Sequence, residues 1–414
     1  MLQPLHSILK NFFNLGLFQA AGMLMQLIAI PIITANHGLG TFGEVALITS
    51  TGALLGNLVN FGTNQTEIKE ISIHRNDHNC LAELYNEILS LRLVICLLMI
   101  ALTIIPIFSI KFLSLPLVLS LLPLIVSEIF NPLYLLIGIE KIHWISWGNL
   151  CSRAISLLLL MIIPLSINIS AIINLILTVP IMLFNIGLSI YIINKFNIKL
   201  HLISVKKLND KLQDNFYVTF NGSSAILQQS IFMFFVAGTA SPQLLGAYGI
   251  IDKFSGAFRQ LISACSSAIY PKAAQLYQEG IQKWNKFRAI VQKGYLVISL
   301  LIAFIFYFFA DQWTMLLYSK ADPTITFFLQ CFSIAPLAIA LNANNVLDML
   351  LARLYKQMFL VSCLILLATF IISFALTHFL DVKFIGCYPI AIESTCLLLY
   401  TLVRLKSNGK HALA

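Results

Sequence analysis

The sequence predicts an all-α integral membrane protein, with twelve transmembrane helices in two six-helix bundles enclosing a central cavity. Three observations predict it. Of 414 residues, 59% are apolar and 10% are charged, whereas a soluble globular chain carries about 25% charged residues. Apolar runs of about 20 residues, the length that crosses a bilayer core, recur from end to end. The lysines and arginines gather in alternate connections between those runs.

The runs place spans at 11–36, 42–64, 88–110, 112–138, 143–166, 168–194, 215–240, 246–270, 290–310, 323–350, 357–380 and 384–405. An even number puts both termini on one side. Lys69, Arg75, Arg92, Lys141, Lys195, Lys199, Lys206, Lys207, Lys211, Lys272, Lys283, Lys286, Arg288, Lys356, Arg404 and Lys406 then fall on or near the side of the termini, while the opposite connections hold Lys111, Lys320 and Lys383. Basic loops resist translocation, so the bias places both termini in the cytoplasm. The net charge of +9 is read the same way, as topology and contact with anionic head groups, with no nucleic acid as partner. The first run is too long for a signal-peptide core and is expected to remain as a span.

The longest connection, 195–214, is basic (KFNIKL, VKKLNDK) and lies at the midpoint. It divides the chain into an N-terminal bundle over 1–194 and a C-terminal bundle over 215–414. The halves carry a trace of repetition. LGTFG (39–43) and LGAYG (245–249) are offset by 206, Gly16 and Gly222 by the same amount, and LVICLL (93–98) and LVISLL (296–301) by 203. Six spans repeated in the same orientation imply an axis along the membrane normal and a cavity between the bundles.

Ionisable groups within spans cost about 2.5–3.5 kcal/mol each and normally face a bundle interior or water. In the eighth span Asp252, Ser255, Arg259, Ser263, Ser266 and Tyr270 follow spacings of 3, 4, 4, 3 and 4. At 100° per residue they form one polar stripe, widened by Lys253, with Ile251, Phe254, Phe258 and Leu261 opposite. The fifth span repeats the pattern with Ser146, Asn149, Arg153 and Ser156. Arg153, Lys253 and Arg259 would give the cavity cationic groups able to hold phosphate, through a bidentate fork in the arginine cases. Asn221, Ser224 and Gln228 on the seventh span, Ser263 on the eighth, and Asn57, Asn60 and Asn64 on the second suit sugar hydroxyls. Interhelical hydrogen bonding is the ordinary role of any one such amide. Glu393, Glu128 and Asp348 are candidates for ion coupling or for counter-ions to the arginines, and Glu44 sits near the outer end of its span. Pro31, Pro116, Pro123, Pro132, Pro180 and Pro336 interrupt spans and can kink them.

The eight cysteines form no CxxC pair and lie mostly within apolar runs, so they are read as small buried hydrophobes. No Walker loop, GxSxG or metal-spaced His/Cys cluster occurs, which disfavours an ATP-driven pump, an enzyme and any bound metal or cofactor.

Three strings carry a resemblance: PIITANHGLGTFGEVALITS (31–50), NFGTNQTEIKEISIHR (60–75) and GAYGIIDKFSGAFRQLISACSSAIYPKAAQLY (246–277). With the span number they resemble the polysaccharide flippases of bacterial O-antigen and capsule pathways, relatives of multidrug extruders and lipid II flippases. The resemblance implies a substrate: an oligosaccharide on undecaprenyl pyrophosphate, turned from the inner to the outer leaflet by alternating access. Arg153, Lys253 and Arg259 would then attract the pyrophosphate and Asp252 would tune them. It also implies the bacterial inner membrane as location, and a polysaccharide polymerase and a chain-length regulator as partners. One departure is that intramembrane acids are at least as numerous as bases. A cation-coupled drug extruder of the same fold is the alternative.

Overall fold

The computed structural model describes residues 22–103, 114–162 and 169–411; the side chains of 102, 217, 221, 271 and 406–411 lie outside the description. Among the described residues the chain is helical, with no strand. Twelve longer helical segments follow in order among the described residues: α1 Gly22–His37, α2 Leu39–Asn60, α3 His78–Leu102, α4 Leu115–Gly138, α5 His143–Ile162, α6 Ile169–Lys195, α7 Val205–Thr239, α8 Pro242–Glu279, α9 Ile281–Phe308, α10 Pro323–Leu351, α11 Tyr355–His378 and α12 Val382–Leu405, with the short helices Thr63–Thr66, Ile68–Ile73 and Ala310–Tyr318 between them. Nine of them are long and apolar enough to cross a bilayer; α1 is apolar over Gly22–His37, and the first part of the expected span 11–36 lies outside the described residues. The other two, α7 and α8, are long helices diluted by polar residues, Asn221, Gln228 and Gln229 in one and Asp252, Lys253 and Arg259 in the other. Most of these are residues that the sequence marks as candidate binding groups, so the same side chains lower hydropathy and raise functional interest.

Several helices overrun their expected spans. Helix α3 starts ten residues earlier than the span at 88, α9 starts nine earlier than 290, and α8 runs to Glu279 rather than 270. An α-helix satisfies its own backbone wherever it continues, and charged side chains are hydrated once past the lipid, so hydropathy underestimates helix length. Half of the connection 195–214 is also helical, because α7 begins at Val205. The remaining stretch of chain is pinned to α3. Asn86 Nδ2 donates to the Lys199 carbonyl at 3.0 Å, the His201 amide donates to Asn86 Oδ1 at 3.3 Å, and the Ile203 amide donates to Ser90 Oγ at 3.3 Å. The first turns of α7 are tied down by Lys211, 2.9 Å from Glu67 and 3.5 Å from Glu87. Burial pushes the Lys211 ammonium down, but the Glu67 hydrogen bonds and the Glu67, Glu87 and Glu70 charges outweigh it, and its pKa lies above the ordinary lysine value.

Prolines mark the breaks. Helix α4 consists of Leu115–Leu119, Leu122–Ile129 and Leu133–Gly138, with Pro116 and Pro123 in first turns and Pro132 at an N-cap. Helix α10 breaks at Ser333–Ile334 ahead of Pro336. A missing N–H is harmless in a first turn, which explains where the pieces restart. Pro180 instead lies inside the continuous α6.

The helices group into two compact units, one of residues up to Ile33 and Glu44–Ser230, the other of Thr34–Gly43 and Ile231 onward. The first has an apolar core of Tyr85, Ile88, Tyr134, Leu135, Leu188 and Ile192 joining α3, α4 and α6. In the second, α10 packs on α8, α9 and α12, and the apolar face of α8, with Phe258 and Ile262, meets Val291, Tyr295 and Ile339. Phe254, Phe306, Trp313 and Phe332 cluster beside it, with ring centroids 4.9–6.3 Å apart. Most of the expected apolar side of α8 therefore packs into protein, while Leu261 is exposed. Two cysteines also depart from isolated burial: Cys331 and Cys387 bring their sulfurs to 3.2 Å.

The LGxxG glycines have a direct use. A Cβ on Gly43 would lie 2.3 Å from the Pro242 carbonyl oxygen, and one on Gly246 would lie 2.0 Å from that of Leu39. The starts of α2 and α8 thus meet backbone to backbone within the second unit. Gly246→Ala should lower the melting temperature in detergent, by a destabilisation of about 1–3 kcal/mol, whereas Gly238→Ala, with nothing within 4 Å, should not. The Lys211 clamp predicts a pH profile. Because its folded pKa is raised, its contribution is complete below the ordinary lysine value near ~10.4 and fades as pH climbs through the higher folded value. The melting-temperature advantage of wild type over Lys211→Met should hold to about pH 10 and narrow above it.

Candidate substrate-binding and coupling groups

Arg153 lies mid-way along α5, where His143–Ile162 places it eleven residues from the start. Its Nε donates to Asn149 Oδ1 at 2.8 Å, one helical turn back, and its guanidinium stands 3.6 Å from where a Cβ on Gly22 of α1 would be. Nη1 reaches the Gly22 carbonyl at 3.5 Å. All seventeen acidic residues of the chain lie within the described part, and no carboxylate forms an ion pair with Arg153 among the described residues. The guanidinium is thus held by one side-chain amide and one carbonyl, with no carboxylate counter-ion among the described residues. The neighbouring Ser146, Asn149 and Ser156 are buried along the same side of α5.

Arg259 has the opposite environment. Its Nε donates to Glu393 Oε1 of α12 at 2.6 Å. Glu393 is 7% exposed, so the pair is screened from water, and removing either partner would strand a buried charge at a cost of about 3–5 kcal/mol. Asp252 lies two turns back on α8, 6% exposed, and forms no ion pair among the described residues. Ser255 Oγ, one turn beyond Asp252, is buried and has no hydrogen-bond partner there either. Lys253 is half-buried and Ser263 is exposed. Ser266 bonds the Tyr295 hydroxyl at 2.9 Å and so ties α8 to α9. The predicted stripe therefore separates into a buried acid, a neutralised arginine and a helix-joining serine.

The seventh-span groups belong to the first unit. Gln228 and Ser224 are buried; Asn221 lies in α7, its side chain outside the description. The second-span amides are structural. Asn57 Nδ2 donates to Ser223 Oγ at 2.7 Å, and Asn60 Oδ1 accepts from Thr63 Oγ1 and the Asn64 amide. Glu44 accepts a hydrogen bond from Ser170 Oγ of α6.

Asp348 is held on both oxygens. Oδ1 accepts from Trp284 Nε1 at 2.8 Å, while Oδ2 lies 2.9 Å from Arg288 Nε and 3.4 Å from Arg404 Nε. Glu128 accepts from Asn131 Nδ2 at 3.1 Å and has no contact ion pair among the described residues.

Sequence reading placed Arg92 with the basic residues on or near the side of the termini, and gave no sign that its side chain is buried among helices. Arg92 is fully buried on α3. Nη1 donates to the carbonyls of Glu128 at 2.9 Å and Asn131 at 2.6 Å, and Nε and Nη2 donate to Thr63 Oγ1 and Asn64 Oδ1. Its Cζ also sits 4.9 Å from the Tyr134 ring centroid. These carbonyls belong to the break in α4 ahead of Pro132, where helical partners are missing. The sequence signal was available in the Asn131-Pro132 step, which announces orphan carbonyls inside a span, but the arginine that serves them is 39 residues away.

Among the described residues no cluster of three or more His, Cys, Asp or Glu could hold a metal ion.

The sequence pattern of a family described as "Polysaccharide biosynthesis protein" matches residues 8–277. A Shigella dysenteriae protein whose name proposes an O-antigen transporter is 23% identical over 346 residues, 80% of this chain and 83% of its own length. A protein of Escherichia coli strain K12, similarly named, is 20% identical over 272 residues, 64% of this chain and 65% of its own. The fold is similar to the inward-facing structure of a multidrug resistance MATE family transporter of the MOP superfamily, with TM-score 0.68, 14% identity, and coverage of 96% and 94% of the two chains. A MOP superfamily transporter from Pyrococcus furiosus, described as having a binding pocket of reverse polarity, gives TM-score 0.60 at 14% identity over 97% and 95% of the chains.

Arg92→Leu and Arg92→Lys should both depress the melting temperature in detergent. Lysine should restore little, because one ammonium cannot span two carbonyls, a hydroxyl and an amide, and breaking such a buried set costs about 3–5 kcal/mol. Thermal melts of the two variants beside wild type check it.

Proposed function

This chain belongs to the polysaccharide biosynthesis protein family, and we propose that it is a multi-pass membrane transporter of the MOP superfamily that flips an undecaprenyl-pyrophosphate-linked oligosaccharide across the bacterial inner membrane by alternating access. The observation that carries this reading is Arg153. A desolvated guanidinium with no carboxylate partner is a standing demand for an anion. A pyrophosphate head group meets it with several acceptors, which match the planar fork of arginine. Nothing in the substrate of a cation extruder would do so. The names of the relatives support the same class of cargo.

Orientation is proposed from the charge bias, with both termini in the cytoplasm. The polysaccharide polymerase and the chain-length regulator remain proposed partners, because a flipped unit is the material they act on. The division into 1–194, a connecting segment 195–214 and 215–414 is proposed as two functional halves. For coupling, the geometry favours acids without a contact cation. Glu393 and Asp348 are each fastened to arginine, so protonating them must first break an ion pair. Glu128 and Asp252 are free of that constraint and can change charge state singly. Asp252 is also what supports the second reading, a cation-coupled extruder, since a buried acid without a contact ion pair is a cation site in waiting.

Arg153→Ala should reduce surface polysaccharide at least about tenfold, the worth of one lost charge-assisted contact, at unchanged membrane level. Arg153→Lys should recover part of it. Quantified polymer display in a host lacking its own flippase checks both. Normal display in Arg153→Ala, or a gain in drug tolerance in place of polymer export, would overturn the assignment.

A further inference from the structure

A second arginine pair stands apart from the groups above. Arg288 near the start of α9 and Arg404 near the end of α12 converge on α10. Both Nε atoms point at the same Asp348 Oδ2, at 2.9 and 3.4 Å. Asn345 Oδ1 accepts from both as well, from Arg404 Nη1 at 2.9 Å and Arg288 Nη2 at 3.4 Å. Asn345 is itself oriented by donating to Thr401 Oγ1 at 3.0 Å. Two guanidiniums are therefore held side by side over one carboxylate, leaving one positive charge in excess. Asp348 is already saturated by Trp284 and the two arginines. Arg288 Nη1 and Arg404 Nη2 have no acceptor among the described residues.

These groups close one end of a groove of about 550 Å³. Gln292, Ser394 and Thr401 contribute polar groups to the wall, and the rest of it is leucine, including Leu341, Leu398 and Leu402, which are 38%, 59% and 55% exposed. Leucines this exposed on a membrane helix are solvated by acyl chains. Leu398 and Leu402 stand one turn apart on α12 and lead from the arginine end toward the middle of the span. A cationic end with open donors, continuous with a leucine-lined channel, has the amphipathic shape of a lipid. The excess of one positive charge selects a head group that carries one net negative charge over a zwitterionic one.

We propose that this groove, built by α9, α10 and α12 within the second unit, binds one anionic glycerophospholipid. Its phosphodiester sits on Arg288 and Arg404 and an acyl chain lies along Leu398 and Leu402. The leaflet is the one that meets the start of α9 and the end of α12, the cytoplasmic leaflet by the charge bias. Juxtamembrane basic groups attract anionic lipid in general; here the two guanidiniums are fixed in advance by Asp348 and Asn345, so binding orders few side chains and gains specificity.

The test uses the whole protein purified in neutral detergent, with dioleoylphosphatidylglycerol or dioleoylphosphatidylcholine added in mixed micelles. Bound lipid is counted by native mass spectrometry. Phosphatidylglycerol should be retained in preference to phosphatidylcholine. Arg404→Gln leaves one arginine on one aspartate, removes the excess charge, and should weaken retention about tenfold. Leu398→Trp fills the groove without touching the charged groups and should also displace the lipid, which keeps the test decisive where Arg404→Gln folds poorly. Arg153→Ala should retain phosphatidylglycerol as wild type does, so failure here is separate from failure of the substrate assignment. Equal retention of the two lipids, or wild-type retention by a folded Leu398→Trp, would overturn the proposal. So would displacement by millimolar inorganic pyrophosphate, which would show a site for phosphate alone.

Discussion

Inside hydrocarbon there is no water to bond a backbone carbonyl or hydrate a charge, and the Arg92 guanidinium shows how much of the first unit follows from that. Helix α4 is broken ahead of Pro132, and the break leaves carbonyls at Glu128 and Asn131 with no helical donor. Arg92 supplies the donors from α3 and turns its remaining N–H groups to Thr63 and Asn64. The short helix Thr63–Thr66, the break in α4 and the mid-part of α3 are consequently fixed to one another. Without it, the buried carbonyls of Glu128 and Asn131 would lose their donor, at a cost of several kcal/mol.

The same constraint sorts the other buried charges into two kinds. Arg259 with Glu393, and Asp348 with Arg288 and Arg404, are compensated, and they join helices distant in sequence. Arg153, Glu128 and Asp252 have polar or no contacts and form no ion pair among the described residues. Compensation makes a group costly to remove and slow to change charge, which suits architecture. An uncompensated group is held at a cost to the fold, and a transporter can recover that cost when cargo or a coupling ion arrives. On the proposed function, this division assigns Arg153 of α5 to the anion and Asp252 of α8 and Glu128 of α4 to a proton or cation.

Glycine and proline set the backbone on which those charges are placed. Gly43 and Gly246 allow the starts of α2 and α8 to touch without side chains between them. The prolines of α4 and α10 fix where helices stop and restart. Both kinds of residue were visible in the sequence, the glycines as LGTFG and LGAYG. What they touch was not, since the contact crosses the offset: Gly43 meets Pro242 and Gly246, while Gly246 meets Leu39.

The sequence by itself determined the class of fold, the rough place of the helices, and the inventory of charges within them. Hydropathy and helical period are local properties, and the lipid makes them decisive. The same stripe on α8 that marked Asp252 and Arg259 could be read from spacing alone. Only the tertiary structure decided what each charge does, because partners come from far along the chain. Glu393 is 134 residues from Arg259, and Asp348 is 60 from Arg288. Thus Glu393, a mid-span acid in sequence, is the counter-ion of Arg259, and Arg92, in sequence one of the basic residues on or near the side of the termini, is a buried strut. Arg153, read in sequence as one of three cavity bases, is left as the intramembrane arginine without a carboxylate among the described residues. Pairing is a property of distance in space, and a period along one helix carries no information about it.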